Sequence, residues 1–590
     1  MKEYSSIQKH RSMDLKYFAV QRLYKKLRNM KPILSSGVLF FILTGFFFNS
    51  SCKGYNEFEK KPLEIPSVKW MVTELTFTSS RPYTSSFNDV DLDVIFTHIN
   101  GTALRIPAFW DNGDTWKVRF APTILGEWSY KTVCSDSLNR GLNNKTGNLT
   151  CVEYKGDLDI YKHGFIKTMI NTRYFLYDDG TPFFYLGDTH WNIAANSLNN
   201  FKTIINKRVV QGFSVCQSEP IEAKYNLSDG LTSSDILGFT DLDDRFKYLA
   251  EKGLVHTNAQ LFFASELGHN RAKYSDKYLE KLCRYWVARY SAYPVMWTTA
   301  QEVDNDMYHG RLNGNGQDDN PYYDSTTNPW KLVAGYIKKY DAYSHPQTAH
   351  MEYVSFTSVS NSSFKNLQGH TWFGVQWAPE KIAQLDFKVP KDFWNNGQGK
   401  PAPNYEGLYD HLWTLEFGAR MQGWTAFLNG MYGIGYGAAD IWLYNSTYDM
   451  DKPTVRDGIT ISATDKQTKW NVSLEFPSAY QMGYMHKFFK EIEWFNLTPR
   501  FDDPAWFSNN GSFYSVASKN NELYVAYFYN RTNRNTGTLK NLANAQYTLQ
   551  WYNPIINKYD TPITITVVDG NYTIGNKPDN NDWILLVKKK

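Results

Sequence analysis

Apolar, strand-like runs alternate with amphipathic helices through the middle of this 590-residue chain, and period-two segments broken by turn residues lie on either side. These observations predict a multidomain protein: a central (β/α)8 TIM barrel flanked by an N-terminal and a C-terminal β-sandwich. The length agrees, because it is more than one hydrophobic core ordinarily organises.

Residues 33–48 (ILSSGVLFFILTGFFF) form the one strongly apolar run, preceded by Lys25, Lys26, Arg28 and Lys31 and followed by Asn49-Ser50-Ser51-Cys52. Such a run is short for a spanning helix and suits the core of a signal peptide. Small polar residues ending in a cysteine resemble a bacterial lipobox. Residues 1–52 are therefore expected to be a lipoprotein signal peptide, with Cys52 the lipidated first residue of the mature protein. Met30 opens a conventional signal by itself. A non-cleaved anchor is the alternative, and either arrangement puts the remainder outside the cytoplasm, in the periplasm or on the outer-membrane surface. The polar residues 53–66 read as a tether.

In residues 67–155, segments such as LDVIFTHI, TWKVRFAP and GEWSYKTVC alternate without a helix-length periodic stretch, as an N-terminal β-sandwich would. In residues 160–500 the strand FFYLGDTHW runs into polar residues. A helix near Asn200–Gln211, the strand GFSVCQSEP, a helix around Leu242–Lys252 and the strand HTNAQLFFAS follow. The helix Tyr278–Tyr290 and the run PVMWTTAQEVDND continue the repeat. Residues past the strand C-termini of a barrel face its active site, so the polar endings carry the functional information. Residues 505–590 are strand-rich again (ELYVAYFYN, AQYTLQWYNP, DWILLVKKK). They read as a second β-sandwich, expected to pack on the barrel rather than bind glycan independently.

The chain holds 19 Trp, 41 Tyr and 37 Phe. Such rings suit the flat apolar faces of sugars, although they also fill cores. A net charge of +4, with no basic stretch beyond the first residues and Lys588–Lys590, does not suggest nucleic-acid binding. Cys134 and Cys151 flank a Gly/Asn-rich stretch and are candidates for a disulfide in an oxidising compartment, whereas Cys216 and Cys283 sit in apolar surroundings and read as core. No H-E-x-x-H, G-x-S-x-G or phosphate-binding glycine loop occurs, so neither a metal nor a cofactor is expected.

Glycoside hydrolysis needs two carboxyl groups, one to protonate the leaving oxygen and one to act as nucleophile or base. Glu302 follows the strand VMWTTAQ directly after Gln301, whose amide suits a sugar hydroxyl beside the cleaved bond; Asp304 is a rival in the same loop. Glu406 lies in KPAPNYEGLYDHLW, where a strand is expected to pass into a helix carrying Leu408, Leu412, Leu415 and Ala419. A Glu at such a junction also favours a helix dipole, which is the bland alternative. The spacing of Glu302 and Glu406 suits the fourth and seventh strands of a barrel. Asp188, His190 and Trp191 in GDTHW, Gln217 after the second strand, and His370, Trp372 and Gln376 in GHTWFGVQW are further candidate sugar contacts.

The phrases YLGDTHW, VMWTTAQE, KPAPNYEGLYD and GYGAADIW together resemble the bacterial apiosidase-like glycosidases, family 140 of the glycoside hydrolases. The flanking regions resemble that group's neighbours, a preceding sandwich and a following collagen-binding-type sandwich. The resemblance implies Glu302 as general acid/base and Glu406 as nucleophile. Members of that group tend to carry Gly-Asp where this chain has Gln301-Glu302, and the longer side chain alters reach, so apiose specificity does not carry over with the fold. The expected activity is hydrolysis of an exogenous polysaccharide or oligosaccharide with retention, for which carboxyl groups about 5–5.5 Å apart are required. A non-catalytic glycan-binding or adhesion lipoprotein on a dead barrel is the rival, and a polysaccharide lyase lacks its Tyr/Lys/Arg or metal constellation. The carbohydrate and the lipid anchor are the expected partners; nothing in the sequence sets an oligomeric state.

Overall fold

The structure, a computed structural model, describes residues 65–590 except 192, 195, 221–229, 259–266, 268–273, 301–302, 304–328, 352–363, 379–386, 411–413, 439–440, 442–454, 457–458, 461–469, 509–513, 520 and 530–536. The expected signal peptide, Cys52 and most of the tether lie outside the described residues. Among those described, no helix is long and apolar enough to cross a membrane.

The central sheet is a parallel ring. Its strands 1 to 4 are Leu186–Thr189, Val215–Ser218, Val255–Asn258 and Val295–Thr298, each paired with the next. Gly374–Gln376, Asn404–Glu406 and Ile434–Tyr436 are strands 6 to 8, and strand 8 returns to strand 1. Strand 5 closes the ring: Gln347–Thr348 pairs with strand 4, His350–Met351 pairs with strand 6, and Ala349 joins the two pieces. The predicted (β/α)8 barrel is thus the observed architecture.

Helices Leu198–Val210, Ser233–Glu251, Asp276–Tyr290 and Pro329–Tyr340 follow strands 1 to 4, and Lys388–Asn396, Glu416–Leu428 and Pro477–Lys490 follow strands 6 to 8. Local chemistry sets their starts. Ser197 and Ser275 accept from the backbone N–H three residues on, and Thr232 forms a capping box with Asp235. That capping box starts the second helix at Ser233, well before the periodic stretch that the sequence made visible around Leu242. The helix expected from Leu408 begins only at Glu416. Of the apolar positions expected on it, Leu408 and Leu415 precede the helix, Ala419 lies in it and Leu412 is outside the described residues, so Glu406 does not sit on a helix N-terminus.

Side chains alternate between the barrel interior and the helix layer. Gly187 and Thr189 face inward, where Gln217 crosses the axis; a Cβ on Gly187 would come within 2.3 Å of the Gln217 Oε1. Asp188 faces outward. A short antiparallel sheet of Ile166–Lys167, Phe175–Tyr177 and Pro182–Phe183 precedes strand 1, and Phe175 packs at 5.5 Å from both Tyr185 and Trp372 at the lower end of the barrel.

The N-terminal β-rich region carries a five-stranded and a three-stranded sheet around one core that includes Val94, Phe96, Val118, Phe120 and Trp128. It docks through buried charge: Arg119 and Arg289 both grip Asp243, and Arg284 reaches Asp93 at 2.6 Å. Leu92 pairs with Cys134 and Gly126 with Cys151, so the two cysteines lie at opposite ends of the strand Gly126–Cys134, roughly 25 Å apart along it. Both are free, and the candidate disulfide is not formed because a hairpin register, not sequence proximity, sets their separation. Cys216 and Cys283 are buried as expected.

The C-terminal region also holds two sheets, with Val516, Phe528, Leu549 and Leu585 between them. Its Asp582 takes both Arg420 Nε and Nη2 at 2.7 Å and accepts from the Tyr527 hydroxyl at 2.9 Å, while Trp424 packs against Tyr527 and Tyr552. Arg420 and Trp424 belong to the helix after strand 7. The C-terminal sandwich therefore clamps the helix behind Glu406, as its expected packing role requires.

Candidate active site

Glu406 is the last residue of strand 7 and is 3% exposed. Tyr409 donates from its hydroxyl to Glu406 Oε1 at 2.5 Å, and the Trp191 indole N–H donates to the same hydroxyl at 2.9 Å. One hydroxyl thus uses its acceptor and donor capacity together, fixing the carboxyl against two strands. The His350 Nε2 lies 3.6 Å from Glu406 Oε2, beyond hydrogen-bonding reach. Burial pushes the His350 imidazole down to about 3, so near neutral pH the ring is uncharged and no ion pair forms.

The turn after the carboxyl is held from behind. Gln422, from the helix Glu416–Leu428, accepts the Leu408 N–H at 2.9 Å. A Cβ on residue 407 would meet that amide oxygen at 2.4 Å, so a larger residue in place of Gly407 would push the Gln422 side chain off the Leu408 N–H. Gln376 stands opposite Glu406 in the register of strands 6 and 7, and its buried Oε1 has no hydrogen-bond partner among the described residues. Tyr405 lies beneath. Burial raises its hydroxyl well above the usual tyrosine range, and the charges of Glu406 and Glu219 add to the rise.

The expected site residues divide. Glu406, Trp191 and Gln376 come together at the C-terminal mouth of the barrel. Gln301, Glu302 and Asp304 lie outside the described residues; strand 4 ends at Thr298, and the Val303 N–H donates to the His350 carbonyl at 2.9 Å. Gln217 is fully buried across the barrel interior: its amide donates to Thr189 and the Tyr405 carbonyl and accepts from Tyr185, so protein groups occupy it. Asp188 points to the helix layer, ion-paired with Arg208 at 2.8 Å; burial pushes its carboxyl up while Arg208 opposes the shift. His190 faces the same layer, its Nε2 within 3.0 Å of the Asn196 amide, and burial with Arg208 and Arg245 nearby lowers it to about 3.

His370 and Trp372 are at the opposite end of the barrel. Strand 6 starts at Gly374, so both precede it, and in a parallel barrel residues before a strand lie at its lower end. His370 contacts Thr348 Oγ1 at 3.3 Å and Trp372 is fully buried against Phe175 and Tyr185. Neither residue reaches the mouth.

Three residues at the mouth escaped sequence reasoning. Tyr409 lay within the stretch read as helix. His350 belongs to strand 5, whose two-residue pieces leave no periodic signal. Glu219 is the next-to-last residue of the quoted run GFSVCQSEP and is 3% exposed, with its N–H donating to the Trp191 carbonyl at 2.8 Å. Its signal was present: a carboxylate directly after a barrel strand. Among the described residues no group of His, Cys, Asp and Glu is arranged to hold a metal.

Comparison with known proteins agrees with this geometry. Residues 170–496, more than half of the chain, match the apiosidase-like catalytic domain, and residues 67–135 match a domain of unknown function, DUF5060. No curated protein matches the chain. A solved structure of a candidate glycoside hydrolase from Bacteroides vulgatus ATCC 8482 superposes with TM-score 0.64 at 16% identity, covering 89% of this chain and 100% of its own. A family 5 glycoside hydrolase from the same organism gives TM-score 0.57 at 16% identity, covering 74% of this chain and 95% of its own. A further structure described as a glycoside hydrolase gives 0.56 at 18% identity over 73% of this chain and 98% of its own. At these identities the likeness is one of fold, whereas the profile match extends over the strands that carry Trp191, Glu219, His350 and Glu406. The chain belongs to the apiosidase-like catalytic domain family and has the barrel fold of glycoside hydrolases.

Proposed function

We propose that this protein hydrolyses a glycosidic bond in an exogenous polysaccharide or oligosaccharide, with retention, from a lipid-anchored position outside the cytoplasm. The observation that carries the reading is Glu406: a buried carboxyl at the end of strand 7, oriented by Tyr409 and Trp191 in a barrel of a glycosidase-like family. Glu406 attacks the anomeric carbon while Glu302 gives its proton to the departing oxygen. The C–O bond breaks and a glycosyl-enzyme ester forms. Glu302, now a base, takes a proton from water, and the hydroxide releases the sugar and restores Glu406. A neutral His350 beside the carboxyl adds no positive charge that would blunt the nucleophile. Export and lipidation at Cys52 rest on the apolar run and lipobox of residues 33–52.

The test is a screen of residues 53–590 against plant and host polysaccharides and their oligosaccharides, with Glu302→Gln and Glu406→Gln in parallel. Reducing sugar released by the wild type alone supports the assignment, and NMR of the newly formed anomer reports retention or inversion. Turnover kept by both variants overturns the site. Binding without turnover across the panel replaces the hydrolase with a glycan-binding lipoprotein.

A further inference from the structure

A cavity of about 580 Å3 opens on the flank of the barrel, where the N-terminal sandwich meets the helix after strand 2. Small-ligand sites concentrate at interfaces between domains, and this volume suits one. Its barrel side is the second half of the helix Ser233–Glu251, from Thr240 onward, which descends outside the ring away from the strand ends that carry Glu406. The charges around the cavity are taken up by one another. Arg119 holds Asp243 through both terminal nitrogens and Glu74 at 2.9 Å, and Lys117 reaches Asp111 at 2.6 Å. Lys247 lies 3.9 Å from Glu251. Asp244, exposed on the helix, is the lining carboxylate with no ion pair among the described residues.

One buried polar group on this space is not taken up. Tyr293 is 7% exposed and lines the cavity, yet its hydroxyl makes no hydrogen bond with any described residue. Burial pushes that hydroxyl up to about 12 against the pull of Arg119, so it keeps its proton and both donates and accepts. The Tyr161 hydroxyl, by contrast, donates to the Ala250 carbonyl at 3.1 Å. A buried polar group left unmet costs free energy, so the partner of Tyr293 enters from the cavity. Around it stand Met71, Val72 and Leu158 and the rings of Tyr154 and Tyr161, tilted with centroids 5.2 Å apart. An anion would meet no unpaired cation there, and a lipid chain would strand Tyr293 and Asp244. A neutral sugar meets every part, with a C–H face on the apolar wall and hydroxyls on the Tyr293 hydroxyl and the Asp244 carboxylate. We propose that the cavity is a second carbohydrate-binding site, with no part in bond cleavage, that holds a neutral saccharide through Tyr293 and Asp244. The proposal goes beyond the hydrolase reading and does not rest on it, because occupancy needs no turnover.

Residues 53–590 carrying Glu406→Gln are titrated calorimetrically with the neutral trisaccharides xylotriose, cellotriose, mannotriose and galactotriose, and hydrogen–deuterium exchange locates the binding. At least one probe should bind and protect the peptides around residues 70–75 and 240–251. Tyr293→Phe and Asp244→Ala, each added to that background, should weaken this binding about tenfold, as loss of one hydrogen bond to a ligand does. Neither polar end bonds a described residue, so both variants should keep the thermal midpoint of the parent without sugar. A weaker affinity is then not a loss of fold. Binding by none of the probes, protection confined to the loops after the barrel strands, or an affinity unchanged by both substitutions overturns the proposal. Turnover of the wild type against Glu406→Gln judges the hydrolase separately, so either reading can fail alone.

Discussion

Between the strands and the helices, buried polar groups pair off locally: Asp188 with Arg208, Ser218 with His256, Asn258 with Trp286, and Asp341 with Trp297. At the C-terminal mouth the pattern is different. Trp191, Tyr409 and Glu406 form a chain that runs across strands and ends on a carboxyl beside a neutral histidine. Both regions are buried and polar, so burial does not separate them. What separates them is where the hydrogen bonds lead: in the helix layer each group satisfies a neighbour, whereas at the mouth several groups converge to orient one. A polar residue after a barrel strand is functional only if the pleat turns it inward.

The largest expected effect comes from breaking the helix-layer pattern. Asp188→Ala leaves Arg208 charged and buried without its partner, which costs about 3–5 kcal/mol of stability. Turnover per folded molecule should be unchanged. Urea denaturation and active-site-normalised kinetics measure the two separately. A stable variant with collapsed kcat/KM would move Asp188 to the mouth and erase the distinction.

A smaller effect follows from the histidines of the same layer. His190 and His256 both sit near 3, lowered first by burial, with Arg208 and Arg245 acting on His190 and His190 on His256. An unfolded histidine takes its proton near 6.5, so between about 6.5 and 3 the unfolded chain binds protons that the native chain does not. Stability present at pH 7 is therefore lost as pH falls through that window, at up to ~1.4 kcal/mol per pH unit for each ring. By pH 5 each contributes a loss of roughly 2 kcal/mol. His256→Gln should flatten the dependence of the urea midpoint on pH between 7 and 5. A slope identical to that of the wild type would mean that these rings are protonated in the native state.

The alternation rule also explains what the sequence made legible. Long amphipathic helices and apolar strand runs announced the barrel and its two β-rich flanks, and Glu406, Trp191 and Gln376 were placed by the polar endings of their strands. Strand boundaries were less visible. His370 and Trp372 were assigned to an ending although they precede Gly374, because GHTWFGVQW is apolar on both sides of the true start. Asp188 was assigned by position in a strand, without the one-residue register that turns a side chain from interior to layer, and Gln217, which does face inward, is spent on Tyr185, Thr189 and the Tyr405 carbonyl below the mouth. Tyr409 was hidden by helical spacing in a segment whose helix begins seven residues later, at Glu416. Glu219 was visible as a residue type and overlooked as a position.

Tyr409 sharpens the comparison from the other side, with the smallest effect. Its hydroxyl is the joint between the Trp191 indole and Glu406 Oε1, so Tyr409→Phe keeps the ring and removes only the joint. Glu406 then loses a 2.5 Å donor and the Trp191 N–H loses its acceptor. A hydrogen bond to a charged group contributes about 1.5–3 kcal/mol, but a nucleophilic carboxyl that meets substrate recovers part of this from it. The expected change is about 1–1.5 kcal/mol in the activation free energy, roughly tenfold in kcat, with KM little altered because the ring that shapes the mouth remains. Trp191→Phe breaks only the far end of the chain and should cost less. If Tyr409→Phe raised KM and left kcat alone, the hydroxyl would be a substrate contact. Convergence on Glu406 would then no longer distinguish the mouth from the helix layer.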